Sequence, residues 1–447
     1  MKTVDKRWLV PFLVFLCSFW IMQAFNWQNQ AHASVTANVA PDFEVDGSGS
    51  DVDTIAFWET ENANDVLMFT TAKASQLVEV WQFPFVGNEQ TPLTHGTFGA
   101  SGTRVNGVVV DQESDLLYVS VADPQSTVSV FSIPDLLFAS EFISGTVNLK
   151  SEPNIDLLSH SNGELWAYVS ADQTLYIYNA ETGAAISQFQ PDEGLETVLA
   201  DDLHQIIYVP DEKDQTGVYA YQPDGTPFLN NGTHQFGQTN FDADAEGIIL
   251  YHCPPVGVDN GTGFIIVADQ IGSQSDFEFF DRQTWAHLGT LTMMGVANTD
   301  GIASTQMVLP GYPMGIFAAI NDDSTTVGVG WDKVFTAMGI ACGNDPAVPT
   351  NLSIATAVND AITLTWEPHN PNNCNHEIYH DTSPYFDIND PTAVLLNTTH
   401  THSELVTMML GDTETNNYFH IRAINCDASS TAFSDRVGEF DFVIVAP

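Results

Sequence analysis

Six β-forming runs open at nearly even intervals along this chain, and almost nothing between them has helical periodicity. The openings stand near Asp53, Asn106, Ile155, Glu196, Glu246 and Asp300, at spacings of 53, 49, 41, 50 and 54 residues. Each unit begins with an apolar strand and turns at Gly, Asp, Asn or Pro. It then runs through a strand such as LLYVSVA and ends in one such as STVSVFSI. Short β-branched and aromatic runs bounded by turn residues are strand signals. A unit of roughly 40–50 residues holding about four strands cannot bury its own faces, so copies must stack; this is the size of a propeller blade. Six openings therefore predict an all-β chain built on a six-bladed β-propeller. The tail STTVGVGWDKVF at 324–335 reads as strand-rich and is expected to pair near the N-terminus and close the ring.

At 447 residues the chain has room for two or three domains. Residues 1–33 read as a signal peptide. Lys2, Lys6 and Arg7 precede an apolar run from Trp8 to Phe25, and Ala31-His32-Ala33 is a small-x-small cleavage pattern. The same run would also serve as a retained anchor, but Pro11 and Gln23 within it and the cleavage pattern favour removal. No second apolar stretch is long enough to span a bilayer. The mature protein is expected to be secreted, extracellular or periplasmic, with no membrane contact after cleavage.

Net charge is −46, from 11 basic and 57 acidic residues; without the leader, 8 basic residues face 56 acidic ones. So little positive charge excludes nucleic acid as a partner, because almost nothing remains to neutralise a phosphate backbone. The acids either collect divalent cations or make a solvated surface. Four cysteines remain after leader removal, and an even number in an exported chain implies disulfides. Three pairings are open. Cys253–Cys342 with Cys374–Cys426 is favoured because each bond then stays inside one domain.

The composition changes near residue 337. AMGIACGNDPAVPTNL reads as a linker over 337–348, stiffened by Pro346 and followed by Pro349. From 349 to 447, NLSIATAVNDAITLTWEP, HEIYHDTSPYF and NYFHIRAIN follow, with Trp366 on the second strand, Tyr418 at a corner position and Phe419, Ile421 and Ala423 alternating. These residues resemble a fibronectin type III domain, an immunoglobulin-like β-sandwich. The resemblance implies a spacer or adhesion module with an extracellular surface or matrix partner.

The chemistry is concentrated in residues 241–323, FDADAEGIILYHC…GFIIVADQIGSQSDFEFFDRQ…NTDGIASTQM…GYPMGIFAAINDD. Asp244, Glu246, Gln270 and Asp300, all hard-oxygen donors, stand at strand ends beside Gly247, Gly272 and Gly301, small residues expected to let backbone pass close to a bound group. Carboxylates at blade turns also serve simply as acceptors for turn amides. The order DxEG…Q-x-G…DRQ…TDGI…YPxGIF resembles the β-propeller phytases, secreted calcium-dependent enzymes that remove phosphate from inositol polyphosphate. The resemblance covers about residues 40–336. Asp51 and Asp53 in SDVDTIAFW match that family's first acidic opening, and Glu152 falls in a further family segment. Glu196 begins ETVLADDLHQIIYVPDE, which Asp211 and Glu212 end.

What the resemblance implies is a 3-phytase-like phosphomonoesterase acting on myo-inositol hexakisphosphate or another phosphate ester. Several Ca2+ ions would be held by Asp51, Asp53, Glu196, Asp211, Glu212, Asp244, Glu246, Gln270 and Asp300. Glu196, Asp244 and Glu246 would carry catalysis through a metal-held water, and Lys73 and Arg282 would bind substrate phosphates. The chain departs from the family where it has Thr54 and Ile55 for a proline segment. It departs again where RVNGVVVDQ puts Gly107 and Val109 in place of an acid and an arginine, and where Asp172 stands in place of a lysine. The alternative expectation is a propeller that binds calcium without catalysis and acts as an extracellular binding or adhesion protein.

Overall fold

The computed structural model describes residues 35–98, 103–143, 147–149, 152–171, 173–192, 194–195, 197–212, 217–255, 259–342 and segments between 349 and 439. Residues 1–34, which contain the expected signal peptide, and Asp172, Glu196, residues 343–348, Cys374 and Cys426 lie outside the described residues.

Antiparallel sheets follow one another in chain order. The first is Val52–Trp58, Leu67–Ala72 and Leu77–Gln82. The second is Val105–Asp111, Leu116–Val121, Thr127–Ser132 and Leu137–Phe142. Ile155–Ser159, Leu165–Ala171, Thr174–Asn179 and Ala185–Phe189 form the third. The fourth joins Leu199–Asp201, Ile206–Pro210, Val218–Tyr221 and Gln235–Phe236. In the fifth, Ala245–Cys253, Thr262–Asp269, Asp276–Asp281 and His287–Met293 accept Val35–Val39 as an outer strand, parallel to His287–Met293. The sixth is Ile302–Thr305, Ile316–Asn321 and Thr325–Gly330, extended by Phe43–Val45.

The six sheets are held to one another by apolar packing between neighbours. Separate buried clusters lie between the first and second, second and third, third and fourth, fourth and fifth, and fifth and sixth sheets. A further cluster, including Phe57, Met68, Ile316 and Ala318, joins the sixth sheet back to the first. The first strand of each sheet also touches the first strand of the next, and Ile302–Thr305 touches Val52–Trp58. Asp53, Asn106, Ile155 and Glu246 fall within the first strand of a sheet, and Asp300 stands two residues before one, whereas Glu196 lies outside the described residues.

The tail divides in two. Thr325–Gly330 pairs with Phe43–Val45 as expected, but Trp331–Met338 is an α-helix rather than strand, and it takes in the first residues assigned to the linker. The reason is a helical spacing of apolar residues: Trp331, Val334, Phe335 and Met338 form one buried face, and Gly339 ends the helix in the left-handed region at φ 63°. Tyr251 meets Trp331 and Phe335 at 4.6 and 4.8 Å between ring centroids. The Cys253–Cys342 disulfide then ties the chain just beyond this helix to the fifth sheet.

Beyond residue 349, Thr350–Thr356, Ala361–Glu367 and Ser403–Thr407 form one sheet; Asn375–Asp381, Val394–Thr399, Asn417–Ile424 and Val437–Glu439 form another. Ile362, Leu364 and Trp366 of one meet Ile378, Phe419 and Ile421 of the other in a shared core. Among the described residues no helix is long and apolar enough to cross a membrane.

Candidate active site

The six first strands surround a cavity of about 290 Å3. Each enters it in the same phase, from Thr54, Val108, Asn154, Thr197, Gly247 and Gly301 at one end to Phe57, Val110, Asp156, Ala200, Leu250 and Ser304 at the other. The residues that open the strands therefore share one mouth. Register shifts between Val52 and Ile55, Val105 and Val108, and Ala245 and Ile248 put Asp53–Thr54, Asn106–Gly107 and Glu246–Gly247 outside the regular ladder. Bulges of this kind re-aim side chains where strands end. A Cβ on Gly301 would lie 2.0 Å from the Asp53 carbonyl oxygen, and one on Gly247 would lie 2.6 Å from that of Asp300. Those two glycines thus admit the neighbouring strand rather than a bound group, and Gly272 faces open space.

Lys73 organises the mouth. It follows the second strand of the first sheet, is buried, and donates its backbone N–H to the Asp51 carbonyl. Its Nζ lies 3.0 Å from Asp53, 3.4 Å from Asp300, 3.6 Å from Asp51 and 3.8 Å from Glu152. Burial alone would lower the lysine's pKa, but Asp53, Asp300 and Glu152 outweigh it and hold the group well above its usual range. Arg104, half-exposed, shares the same acids, at 2.9 Å from Asp51 and 3.3 Å from Glu152. Asp51 sits at φ 62°, a strained conformation for a residue with a side chain. Burial and the charge of Asp53 push the Asp300 carboxyl well above the carboxylate range, against the opposing pull of Lys73.

The fifth sheet brings the other candidates. The Gln270 side-chain amide donates to Asp300 Oδ1, and the Gln270 backbone N–H donates to the Asp244 carbonyl at 2.9 Å. Burial and the neighbouring charge of Asp211 raise the pKa of Asp244, so those two carboxylates lie close enough to repel. Glu246 and Asp211 are buried, and Glu212 is half-buried.

Arg282 stands elsewhere. Its guanidinium is fully buried and donates to Asp201 at 2.6 and 2.8 Å, to Asp259 at 2.7 Å and to the Thr262 carbonyl at 3.2 Å. Asp201 ends the first strand of the fourth sheet, whereas the mouth residues open those strands, so this pair belongs to the opposite end. Its place is that of a structural ion pair between the fourth and fifth sheets.

Calcium takes six to eight oxygen ligands. The mouth offers carboxylate and carboxamide oxygens, and both side-chain polar atoms of Asn106 and the hydroxyl of Thr299, beside Asp300, are buried without a partner. Such atoms are normally satisfied by protein, water or an ion. In donor chemistry the residues fit calcium, and Asp211, Asp244, Glu246, Gln270 and Asp300 are the ones that would hold it. The fit does not extend to a preformed cage: among the described residues no three acids are set as a metal site, and the tightest convergence of acids is around an ammonium.

Sequence reasoning gave Arg104 no role and set Glu152 outside the principal set. In a chain with 11 basic residues against 57 acidic ones, each arginine was itself a signal.

A family model described as Phytase matches residues 156–341. That span contains Asp211, Glu212, Asp244, Glu246, Gln270 and Asp300, and excludes Asp51, Asp53, Lys73, Arg104 and Glu152. The 3-phytase of Bacillus subtilis (strain 168) is 23% identical over 175 residues, covering 35% of this chain and 44% of that protein. The match thus spans under half the length of this curated relative. Two solved structures are similar at lower levels. A chain of "Crystal Structure of Mitotic Checkpoint Complex" matches with a TM-score of 0.42 at 12% identity, covering 65% of this chain and 92% of that one. A chain of "Kuenenia stuttgartiensis Hydrazine Synthase" matches with a TM-score of 0.39 at 10% identity, covering 64% and 97%. Scores of that size bear on neither fold nor function. The family match covers less than half of this chain.

Proposed function

We propose that this protein is a secreted, calcium-dependent phosphomonoesterase that releases phosphate from myo-inositol hexakisphosphate or a similar phosphate ester. The observation that carries the reading is a coincidence of position. The residues matched to the phytase model include the set that meets at one mouth of the channel: Asp244, Gln270 and Asp300, with Asp211 close by. On this reading the six sheets are the blades of a six-bladed propeller over residues 40–336, followed by a linker and a fibronectin type III-like domain that contacts an extracellular surface. Residues 1–33 are a signal peptide, and neither nucleic acid nor membrane is a partner of the mature protein.

Calcium, when bound, supplies charge neutralisation for the phosphate and lowers the pKa of a held water. The protein's own residues set up the rest. Asp211, Asp244, Glu246, Gln270 and Asp300 hold the cation, with Glu196 as a further acid. Lys73 and Arg104 provide fixed positive charge beside Asp51 and Glu152, where a substrate phosphate would compete with those carboxylates for the same donors. Without cations, an anionic ester would meet a mature protein with 8 basic residues against 56 acidic ones and be repelled.

The rival reading, a calcium-binding propeller without catalysis, is favoured by one observation. Lys73 is held by four carboxylates and Arg282 by two, so neither presents its charge freely to solvent. Phosphate release from myo-inositol hexakisphosphate, measured with millimolar calcium and with excess chelator, separates the two. Release abolished by chelator supports the enzyme. Absence of release with a calcium-dependent rise in Tm supports the binding protein.

A further inference from the structure

Asp269 lies one residue before Gln270 and is 1% exposed. Its carboxylate is spent on backbone. Oδ2 accepts the Asp242 N–H and Oδ1 the Ala243 N–H, both at 2.8 Å. A carboxylate taking two adjacent amides fixes both their direction and their distance, and each such charged bond is shorter and stronger than a neutral one. The next link in the same loop is the Gln270 N–H to the Asp244 carbonyl at 2.9 Å. Strand pairing of Ala245 with Asp269 closes the set from the other side. The turn at 242–244 is therefore gripped at three successive residues by two neighbours on the facing strand. The same two neighbours deliver the Gln270 side chain to Asp300.

We propose that Asp269 is the positioning residue of this site: its carboxylate clamps the 242–244 turn and so sets where Asp244 and Gln270 present their oxygens to a cation. It touches neither cation nor substrate. The inference rests on the calcium-dependent reading above, and no other acid in the loop can replace it, because Asp242 is exposed and Asp244 points its backbone, not its carboxylate, at the facing strand. Asparagine at 269 retains one acceptor and turns an amide donor toward the second N–H, which leaves shape intact and breaks half the clamp.

The test compares wild type and Asp269→Asn in the full mature chain. Amide hydrogen exchange of the 241–247 segment, read by mass spectrometry, should accelerate at least tenfold in the variant while the other sheets keep their protection. Titration calorimetry with calcium chloride alone should show the calcium midpoint weakened about tenfold. Phosphate release should fall at low calcium and recover at saturating calcium, with KM for the ester little changed. Unchanged exchange in 241–247 overturns the clamp. Faster exchange with an unchanged calcium midpoint overturns the role in the site, leaving a structural bond. If the variant does not fold, wild-type exchange decides: amides of 242 and 243 exchanging at unstructured rates refute the clamp. A wild type that neither binds calcium nor releases phosphate refutes the functional reading, and exchange alone then decides whether Asp269 holds the turn.

Discussion

Replacing Arg282 with methionine removes the partner of a carboxylate that has no access to water. Asp201 is fully buried, and the guanidinium supplies two of its hydrogen bonds; the rest come from the His204 backbone N–H and ring at 3.0 Å each. Leaving a buried ion without its counter-ion destabilises a fold by about 3–5 kcal/mol. The effect should depend on pH with a definite sign. In the wild type, burial acts to raise the Asp201 pKa, but the bonds and charge of Arg282 prevail and hold it below the ordinary value. That contribution is present above the unfolded pKa of about 4 and is lost as pH falls through the folded one. In the variant, burial acts unopposed by the arginine, so the penalty grows as pH rises above about 4 and fades below it. Urea unfolding followed by tryptophan fluorescence at pH 7 and pH 4 measures both. The double variant Arg282→Met/Asp201→Asn should recover at least half the loss, because the stranded charge is gone. A single variant within 1 kcal/mol of wild type at pH 7 would refute the ion-pair argument. Unchanged stability with lost phosphate release would instead return Arg282 to substrate binding.

Three further outcomes are expected. Asp156 lines the far end of the channel, where burial and the Asp202 charge push its carboxyl up to about 7 against the amides of Ala200 and Leu157. A raised acid stabilises the fold below its unfolded pKa and loses that as pH rises through the folded one, so the Tm of Asp156→Asn relative to wild type should rise from pH 4 to pH 8, on top of a pH-independent cost from the lost acceptor for one of the two amides. The ceiling of about 4 kcal/mol falls to roughly 1–2 for a group facing an open channel, and a pH-independent difference would sink the reasoning. Gly301→Ala places a methyl against the Asp53 carbonyl and should destabilise by about 1–3 kcal/mol and reduce phosphate release; a thermal scan showing no shift would mean the first and sixth sheets are not in contact there. Cys253→Ser/Cys342→Ser opens a loop of 89 residues and should lower stability by roughly 4–5 kcal/mol in urea titrations, an unchanged midpoint being the contrary result.

The repeat was legible because every blade-sized unit needs an apolar strand after a polar start, and Asp53, Asn106, Glu246 and Asp300 mark such starts directly. The helix at Trp331–Met338 was hidden behind β-rich neighbours, although Trp331, Val334, Phe335 and Met338 carry its spacing in plain text. The order of acids along the chain pointed to candidates, and two of them, Asp53 and Asp300, meet at one ammonium. Their counter-charges could not be read off that order: Lys73 meets Asp300 across 227 residues, and Arg104 meets Asp51 across 53, so nothing local announces either pairing. Asp269 escaped for a different reason, since a carboxylate bonded to backbone looks in sequence like any other strand-end acid.

The outer strands Val35–Val39 and Phe43–Val45 are made early and used late. On the ribosome they emerge before any of the six sheets, yet their partners are His287–Met293 and Thr325–Gly330. At roughly 5–20 residues per second the wait is ten seconds or more, with two sticky edge segments unmatched throughout. The synthesis of the fifth and sixth sheets, not of the first, is when these segments find their partners. An export pathway that delivers the finished chain unfolded would spare the segments that wait, and would let the first residues of the domain act as the latch for its last.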